Sequence, residues 1–266
     1  MAMAPISSVH NPWVKHIQKL LQKSRARRQE NAFVVEGERE LERALVSGYK
    51  PQALFVREGA HLPVHFNNLQ EQLPSPIVFT NKLFEKISLR SGASKVFGIL
   101  NSKPHTLDSL GALKSGVYLI AVGIEKPGNL GALLRTAAGA GLQGVLVVDS
   151  QTDLYNPQCI RNSMGGVFSI PIALTDTTGA LAFLQEQQCP VFSAALHPKA
   201  KNYQTTAYPK LCALAVGNEA AGLSERWCEQ PSTLIEIPMQ PPIDSLNVSV
   251  AAAVVLYHIS MKQKEN

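Results

Sequence analysis

Four polar side chains that can bind, orient or deprotonate a substrate stand in three separated blocks of the sequence. They are Asn129 and Arg135 in the first block, Glu219 in the second and Asn247 in the third. A guanidinium binds phosphates and carboxylates, a carboxylate can orient a cation, and an amide both donates and accepts hydrogen bonds. Residues so far apart can act together only if the fold brings them to one place, so the surrounding elements decide what they do.

The first block predicts a helix over 129–140 that keeps one face bare. Its apolar stripe at helical spacing consists of Leu130, Leu133, Leu134, Ala137 and Ala138. Arg135 lies off this stripe, with Gly131 four positions before it and Gly139 four positions after it. Glycine costs about 1 kcal/mol against alanine inside a helix, so the two glycines indicate a face that backbone or ligand approaches closely. A solvated surface arginine is the alternative. Gly128 and Asn129 can cap the helix, with Pro127 just outside it.

Glu219 stands in a short loop directly after an apolar strand predicted at 212–216. Gly217 and Gly222 bracket it, which predicts a sharp turn at the carboxyl end of that strand. Sheets of α/β proteins bind ligands at this edge, so Glu219 is a candidate site residue. An ordinary exposed glutamate in a loop is the alternative.

The third block combines an apolar turn with the start of a long helix, predicted at 245–259. Val, Ala and Leu occupy most sides of this helix, which predicts deep burial. Asp244 or Ser245 is the expected cap, and backbone amides at a helix start can bind polar ligand groups. Three apolar side chains near the turn offer surface for a flat aromatic ring, and core packing is the simpler alternative. They are Ile237, Met239 and Leu246.

One glycine pattern, at 139–144, matches the dinucleotide-binding sequence G-x-G-x-x-G. That sequence must follow a strand and open a helix, because the helix N-terminus binds the pyrophosphate. Here the order is reversed, since the glycines follow the helix over 129–140 and precede a strand predicted at 145–148. A helix C-cap and turn explain them better, so the pattern does not predict a nicotinamide-dependent enzyme.

The N-terminal stretch is basic and predicts a helix whose apolar face is formed by Val14, Ile17, Leu20 and Leu21. The six cations within residues 1–30 are opposed only by Glu30. They are Lys15, Lys19, Lys23, Arg25, Arg27 and Arg28. Such a run is either a solvated surface or an arm that contacts nucleic-acid phosphates.

Strands and helices alternate along the chain, which predicts an α/β fold. The N-terminal third predicts a compact α/β unit over 1–105, and the polar stretch 106–116 predicts a linker. From 117 to 266 the alternation is regular, which predicts a mostly parallel sheet with helices on both faces.

The composition predicts a folded protein of one large or two modest domains, because 45% of the 266 residues are hydrophobic. The net charge of +5 permits a nucleic-acid partner without requiring one. The cysteines form no C-x-x-C pair and no zinc spacing with histidine, so we expect no metal site and a reducing compartment. The sequence shows no signal-peptide core and no apolar run that spans a bilayer, so we expect a cytoplasmic protein without a membrane partner.

Together, the three blocks resemble the SpoU-like (TrmH-type) branch of the SPOUT methyltransferase superfamily. The resemblance covers 117–258 and implies transfer of a methyl group from S-adenosyl-methionine to a ribose 2′-hydroxyl in RNA. The catalytic residues that it implies are Arg135, Asn129, Glu219 and Asn247, with Glu219 orienting the arginine. The cofactor-binding residues that it implies are Gly217, Ile237, Met239, Ser245, Leu246 and Ser249.

The resemblance also implies features that the residues alone do not predict. The C-terminal SPOUT domain would contain a trefoil knot, in which the C-terminal segment threads through a loop. The protein would act as a homodimer with its active sites at the subunit interface. The smaller N-terminal domain, through its stretches at 11–12 and 33–38, resembles the RNA substrate-binding domain of ribosomal-RNA members, whose fold is like that of a ribosomal RNA-binding protein. Ribosomal RNA is therefore the first substrate to expect, and transfer RNA the second.

Two stretches depart from the family pattern. In 156–166 the small positions of the family pattern hold Asn162 and Gly166, so the roles of Arg161 and Ser163 are open. We assign Arg161 to RNA binding. In relatives an Asp often precedes the Pro-x-Asn sequence, whereas Glu125 and Lys126 precede it here.

The role of Arg135 and the class of function both leave alternatives. A guanidinium normally stays protonated, so Arg135 either acts as a base, as proposed for the family, or orients the hydroxyl through the adjacent phosphate, which we favour. Besides ribose methylation, two functions stay open: a catalytically silent RNA-binding protein of the same fold, and a methyltransferase that acts on a base nitrogen.

Overall fold

The computed structural model of the protein describes residues 4–60, 66, 73–89, 94–229 and 232–265. The chain forms two compact units. The first comprises Met1–Lys103 and Tyr155–Ser169, and the second comprises Pro104–Leu154 and Ile170–Asn266. Sequence analysis places the end of the N-terminal domain near 105, but it does not predict that a later segment belongs to the same unit.

The first unit contains a four-stranded sheet with helices. Its elements before residue 104 are α1 (Pro12–Gln22), α2 (Ser24–Glu30), β1 (Ala32–Glu36), α3 (Glu38–Val46), β2 (Pro51–Arg57), β3 (Ile77–Phe79), α4 (Asn81–Ile87) and β4 (Val96–Asn101). The strand order is β1-β4-β2-β3. β4 runs antiparallel to β1 and β2, whereas β3 runs parallel to β2.

Helix α1 starts where its sequence signals predict. The side chain of Asn11 accepts a hydrogen bond from the amide of Trp13 at 2.9 Å, and Pro12 occupies the first helical position, where no N–H is needed. The predicted apolar face is confirmed, because its first three members are completely buried: Val14, Ile17 and Leu20. Their burial joins α1 to the core of the first unit.

The second unit is built on a seven-stranded sheet. After a 3₁₀ turn at Leu107–Leu110, its elements are β5 (Gly116–Val122), α5 (Pro127–Ala140), β6 (Gly144–Val148), β7 (Ile172–Thr175), α8 (Thr177–Glu186), β8 (Val191–Ala194), β9 (Lys201–Asn202), β10 (Leu211–Val216), α9 (Glu225–Cys228), β11 (Thr233–Glu236) and α10 (Val248–Glu265). Between β6 and β7, the chain forms α6 (Pro157–Ser163) and α7 (Gly166–Ser169), which belong to the first unit. The strand order is β7-β6-β5-β10-β8-β11-β9, with parallel pairing throughout. The predicted parallel sheet is thus confirmed, and its central strands β5, β6 and β10 are almost fully buried.

Helices α6 and α7 belong to the first unit because aromatic residues anchor their segment there. Tyr155 stacks on Phe33 with ring centroids 4.1 Å apart, and Phe168 stacks on the same ring at 5.9 Å. Tyr49 packs edge-on against both Tyr155 and Phe168. The hydroxyl of Tyr155 also accepts a hydrogen bond from the amide of Lys103 at 3.1 Å. Without these partners the segment would expose two large aromatic side chains.

Helix α5 begins earlier than predicted. It starts at Pro127 instead of 129, because proline suits the first helical position. The prediction that Gly128 or Asn129 caps the helix, with Pro127 outside it, is therefore wrong, since all three residues lie inside the first turn. At the other end, Gly141 adopts a φ of +72° and closes the helix as a left-handed cap, which confirms the interpretation of the glycine pattern as a C-cap and turn.

Helix α10 also differs from its prediction. It starts at Val248, and the side chain of Asn247 caps it by accepting a hydrogen bond from the amide of Ser249 at 3.0 Å, so the caps predicted at 244 and 245 are wrong. Deep burial on most sides is wrong as well. One face is buried, whereas the opposite face exposes an apolar stripe, the α10 stripe, made of Val250, Val254, Tyr257 and Met261. No helix of the described part of the chain, α10 included, is long and apolar enough to cross a bilayer.

Candidate active site

The candidate site lies at the carboxyl ends of β5 and β10, two neighbouring parallel strands. Ala121 and Val216 are register partners near those ends, so the loops after the two strands meet at the same edge of the sheet. Asn218 secures one loop to the other, because its Nδ2 donates a hydrogen bond to the carbonyl of Gly123 at 3.1 Å. Sequence analysis missed Asn218, although an asparagine after a glycine at a strand end is a recognisable turn signal.

The loop over 217–222 is closed tightly by backbone hydrogen bonds. The amide of Asn218 donates to the carbonyl of Gly222 at 3.1 Å, and the amide of Gly222 donates back to the carbonyl of Asn218 at 2.9 Å. A β-carbon on Gly217 would lie 2.3 Å from the carbonyl group of Gly222, which leaves no room for a side chain. Gly222 itself has a φ of +66°, in the left-handed region that favours glycine. The two glycines therefore set the loop conformation that carries Glu219.

Three of the four predicted catalytic side chains meet at this edge. The Nδ2 atoms of Asn129 and Asn247 both donate to Oε1 of Glu219, at 2.5 and 2.6 Å. The same Nδ2 of Asn247 lies 3.4 Å from Oδ1 of Asn129. Hydrogen bonds to an ionised acceptor are stronger than neutral ones. One carboxylate oxygen thus joins the first turn of α5 to the start of α10.

The orientation of the Asn247 amide is determined by its other end. Oδ1 of Asn247 accepts hydrogen bonds from the amide and the hydroxyl of Ser249, at 3.0 and 2.7 Å. Because both of these donors bind Oδ1 of Asn247, its Nδ2 group faces Glu219. Ser249, predicted to bind the cofactor, therefore holds the side chain of Asn247 in this structure.

The second oxygen of Glu219 is paired with a cation that sequence analysis did not assign to the site. Nζ of Lys126 lies 2.5 Å from Oε2 of Glu219. The hydrogen bond from Lys126 is the largest effect on the pKa of Glu219 and lowers it, with a further lowering from Asn129, against the opposing effect of desolvation. The same pairing raises the pKa of Lys126. Both groups are therefore charged at neutral pH.

Arg135 does not join this cluster. It is exposed, and six residues separate it from Asn129 on α5, which corresponds to about 9 Å along the helix axis and a different face. Among the described residues, no hydrogen bond or ion pair connects Arg135 to Glu219. One turn further on, a β-carbon on Gly139 would lie 3.1 Å from the hydroxyl of Tyr257, so this glycine allows α10 to pack closely against α5.

The predicted cofactor-binding residues follow β10 and β11 at the same edge of the sheet. Gly217 is buried at the end of β10, and Ile237 and Met239 are half-buried beyond the end of β11. Leu246 is 37% exposed, and Leu196, which sequence analysis missed, is 67% exposed in the loop after β8, the neighbour of β11.

The remaining polar prediction, Ser245, is exposed, and its hydroxyl donates to Oδ1 of Asp244 at 3.0 Å. It therefore lies in the turn before α10 without joining the Glu219 cluster through a hydrogen bond in the described chain. Within the described ranges, there is no group of three His, Cys, Asp or Glu residues that could hold a metal ion.

The predicted RNA-binding cations fall into three groups in the structure. Lys15, Lys23, Arg25 and Arg28 are exposed. Lys19 is paired with Glu30 at 2.6 Å. Arg27 contradicts the prediction of a solvent-facing cation: it is 4% exposed, and its Nη1 donates to the carbonyl of Leu20 at 2.5 Å, at the C-terminal end of α1. A buried guanidinium that satisfies helix carbonyls cannot also reach a phosphate.

Arg161 is exposed and belongs to the first unit, like the basic helices. With Leu21 of α1 and Glu36 of β1, it lines a small cavity of that unit. Its position relative to α1 could not be predicted from the sequence, because 140 residues separate Leu21 from Arg161.

Comparisons with known proteins agree with this fold. The sequence model of the SpoU rRNA Methylase family matches residues 116–257, and that of the MRM3-like substrate binding domain matches residues 11–98. A methylase domain joined to a substrate-binding domain defines an RNA-modifying enzyme. The chain belongs to the SpoU rRNA Methylase family.

Several relatives align over nearly the whole chain. The 23S rRNA (guanosine(2553)-2′-O)-methyltransferase RlmP of Bacillus subtilis is 29% identical, over 97% of this chain and 99% of the relative. An AdoMet-bound rRNA methyltransferase from Sinorhizobium meliloti has a TM-score of 0.86 at 26% identity and covers 97% of this chain and 98% of its own. A structure described as an RNA 2′-O ribose methyltransferase has a TM-score of 0.84 at 35% identity, over 99% of this chain and 100% of its own.

Proposed function

We propose that this protein transfers a methyl group from S-adenosyl-methionine to a ribose 2′-hydroxyl of 23S ribosomal RNA. The observation that carries the proposal is the Asn129–Glu219–Asn247 cluster, in which the three blocks shared with the family meet at the ligand-binding edge of a parallel sheet. The names of full-length relatives support the substrate, since they specify 2′-O-methylation of 23S rRNA.

The cofactor-binding loops suit a molecule with an apolar ring and a polar tail. Ile237, Met239, Leu246 and Leu196 offer partly exposed apolar surface for the adenine ring. Gly217, at the buried end of β10, belongs to this proposal through its backbone. S-adenosyl-methionine, when bound there, supplies a methyl group activated by a positively charged sulfur. Ser245 and Ser249 belong to the same proposal as polar contacts of the turn and helix start.

Arg135 acts in this proposal by binding and orientation. A ribose hydroxyl is a very weak acid, and a guanidinium keeps its proton. The proposal therefore does not require Arg135 to remove the proton of the hydroxyl. The guanidinium instead binds the adjacent phosphate through two parallel hydrogen bonds and aims the hydroxyl oxygen at the methyl group. Positioning of this kind can supply several kcal/mol of the barrier reduction, of the order of 7 or more in favourable cases.

A homodimer accounts for the separation of Arg135 from the Glu219 cluster. The α10 stripe is apolar and exposed, and contiguous exposed apolar surface indicates an interaction site. Tyr257 of the stripe contacts α5 at Gly139, one turn from Arg135. A second copy seated on the α10 stripe would therefore lie beside Arg135 and could bring it to the partner's cluster. The trefoil knot implied by the family stays a prediction.

The first unit is the proposed RNA-binding domain, and its surface combines the exposed cations of α1 and α2 with Arg161. The set is Lys15, Lys19, Lys23, Arg25, Arg28 and Arg161, without Arg27. Such cations supply affinity through phosphate contacts and carry no base specificity of their own. Because ribosomal RNA is the proposed substrate, we expect the protein to act in the cytoplasm.

The test is transfer of labelled methyl from S-adenosyl-methionine to total RNA from cells that lack this protein, separated by size. We expect label in 23S rRNA, loss of label with Arg135→Ala, and retention with Arg226→Ala, an exposed arginine of the same unit outside the site. Nucleoside analysis should find the label on a ribose, and label on a base would instead support methylation of a base nitrogen. Cofactor binding without label on any RNA would overturn the proposal in favour of a silent RNA-binding protein.

A further inference from the structure

Lys126 is the least expected residue of the cluster. It directly precedes α5 and makes no side-chain cap hydrogen bond to the helix. A cation at the start of a helix is locally unfavourable, because the helix dipole is positive there. The identity of this residue therefore needs an explanation outside the helix itself.

Orientation of Glu219 does not provide that explanation. Oε1 of Glu219 already accepts hydrogen bonds from Asn129 and Asn247, at 2.5 and 2.6 Å, and these two amides alone fix the carboxylate. Lys126 contacts only the other oxygen, and its side chain is 72% exposed. Exposed ion pairs are weak and exchange readily with other partners. The ammonium also carries three N–H donors, of which the contact to Glu219 needs one.

The charge of the cluster indicates what Lys126 does. Asn129 and Asn247 are neutral, so the negative charge at this edge comes from Glu219 and from Glu125, which also acts on Lys126, and it would repel an approaching phosphodiester. Lys126 offsets part of that charge and places an accessible cation at the edge of the site. We propose that Lys126 binds a phosphate of the RNA backbone next to the target ribose, and that Glu219 holds its ammonium in position until RNA arrives. This inference rests on the proposed function, since it presupposes that RNA enters this site.

The experiment compares Lys126→Ala and Lys126→Arg with wild type and with Lys114→Ala as a matched control. Lys114 is also an exposed lysine of the second unit, but it precedes β5, whose seven residues put it roughly 20 Å or more from the site edge. The probe is an unmodified transcript of 23S rRNA, or its shortest fragment that wild type binds. The readouts are KM for RNA, kcat, the affinity for S-adenosyl-methionine, and the salt dependence of RNA binding measured without methyl transfer.

We expect Lys126→Ala to raise KM for RNA about three- to tenfold and to reduce the slope of log affinity against log salt by about 1. At neutral pH, kcat and cofactor affinity should change less than KM for RNA, because the two amides keep Glu219 in place. Lys126→Arg should restore RNA binding, since it keeps the charge, and Lys114→Ala should behave like wild type.

The inference and the proposed function fail in different ways. An unchanged KM and salt slope in Lys126→Ala, in a wild-type background that methylates RNA, would overturn the inference and leave the function intact. A loss of kcat without a change in RNA binding would also overturn it, because Lys126 would then act through Glu219. A wild type that binds RNA without methylating it would overturn the function, and the salt slope of Lys126→Ala would still decide whether Lys126 contacts a phosphate.

Discussion

Substitution of Gly217 by alanine should reduce turnover by more than its loss of folding stability accounts for. The new β-carbon would lie 2.3 Å from the carbonyl of Gly222 and 2.5 Å from the amide nitrogen of Leu223. Carbon atoms pack favourably only at about 3.5 Å or more, so the loop that carries Glu219 must move by about 1 Å. Displacements of that size can reduce turnover about 100-fold, and overpacking costs about 1–3 kcal/mol of the free energy of unfolding.

Gly222→Ala is the matched control in the same loop. Its β-carbon would meet open space, but its φ of +66° is unfavourable for alanine, which costs about 1–2 kcal/mol. Both variants should therefore lose similar stability in chemical denaturation, whereas only Gly217→Ala should lose turnover in the labelled-methyl assay. If Gly217→Ala retains turnover within about threefold of wild type, the tight contact at Gly217 does not position the catalytic cluster, and the reasoning is refuted.

Four further predictions follow from the site and the units. Arg135→Lys should reduce turnover more than about tenfold, because an ammonium cannot form two parallel hydrogen bonds to a phosphate; near-wild-type turnover would rule out that role. Random mixing of Arg135→Ala with Glu219→Gln subunits, each inactive alone, should recover about one quarter of wild-type activity if Arg135 acts across the interface, and none if each site uses its own arginine. Deletion of 1–105 should yield a poorly soluble fragment on size-exclusion chromatography, because the segment 155–169 loses its aromatic partners; a monodisperse fragment with wild-type cofactor affinity would contradict this. Lys126 lowers the pKa of Glu219 below its ordinary value of 4.5, so Glu219 in the wild type is still mostly ionised at that pH. Lys126→Ala removes this effect and raises the pKa of Glu219, so the acid limb of kcat should move to higher pH. An acid limb at the same pH in both proteins would show that Glu219 does not control it.

Short-range sequence patterns predicted the elements and the candidate residues well where the cause is local. The apolar spacing of α1 is confirmed by its buried face, and the left-handed φ of Gly141 confirms that the glycine pattern after α5 is a cap. Helix starts were less predictable, because α5 starts at Pro127, before its expected caps, and α10 starts at Val248, after its expected caps. Asn129 lies in the first turn of α5, where its side chain donates a hydrogen bond to Glu219, which is 90 positions away in sequence.

Burial could not be predicted from residue type alone. Arg27 was grouped with the exposed cations by its place in a basic run, but it turns inward to satisfy carbonyls at the end of α1. The α10 helix is apolar on most sides, and the sequence pattern therefore predicts burial. In the folded chain only one of its faces meets the sheet and α5, so the opposite face stays exposed.

The sequence by itself determined the fold class, the family and which residue types carry the chemistry, because strand and helix periodicity and the three motif blocks are local features of the chain. Only the tertiary structure decided which of those residues meet. Parallel pairing of β5 with β10 brings Glu219 to Asn129, and the capping of α10 brings Asn247 to the same oxygen. Arg135 stays apart because six residues of helix turn it to another face. Contacts between distant segments depend on strand order and packing, which no short stretch of sequence encodes.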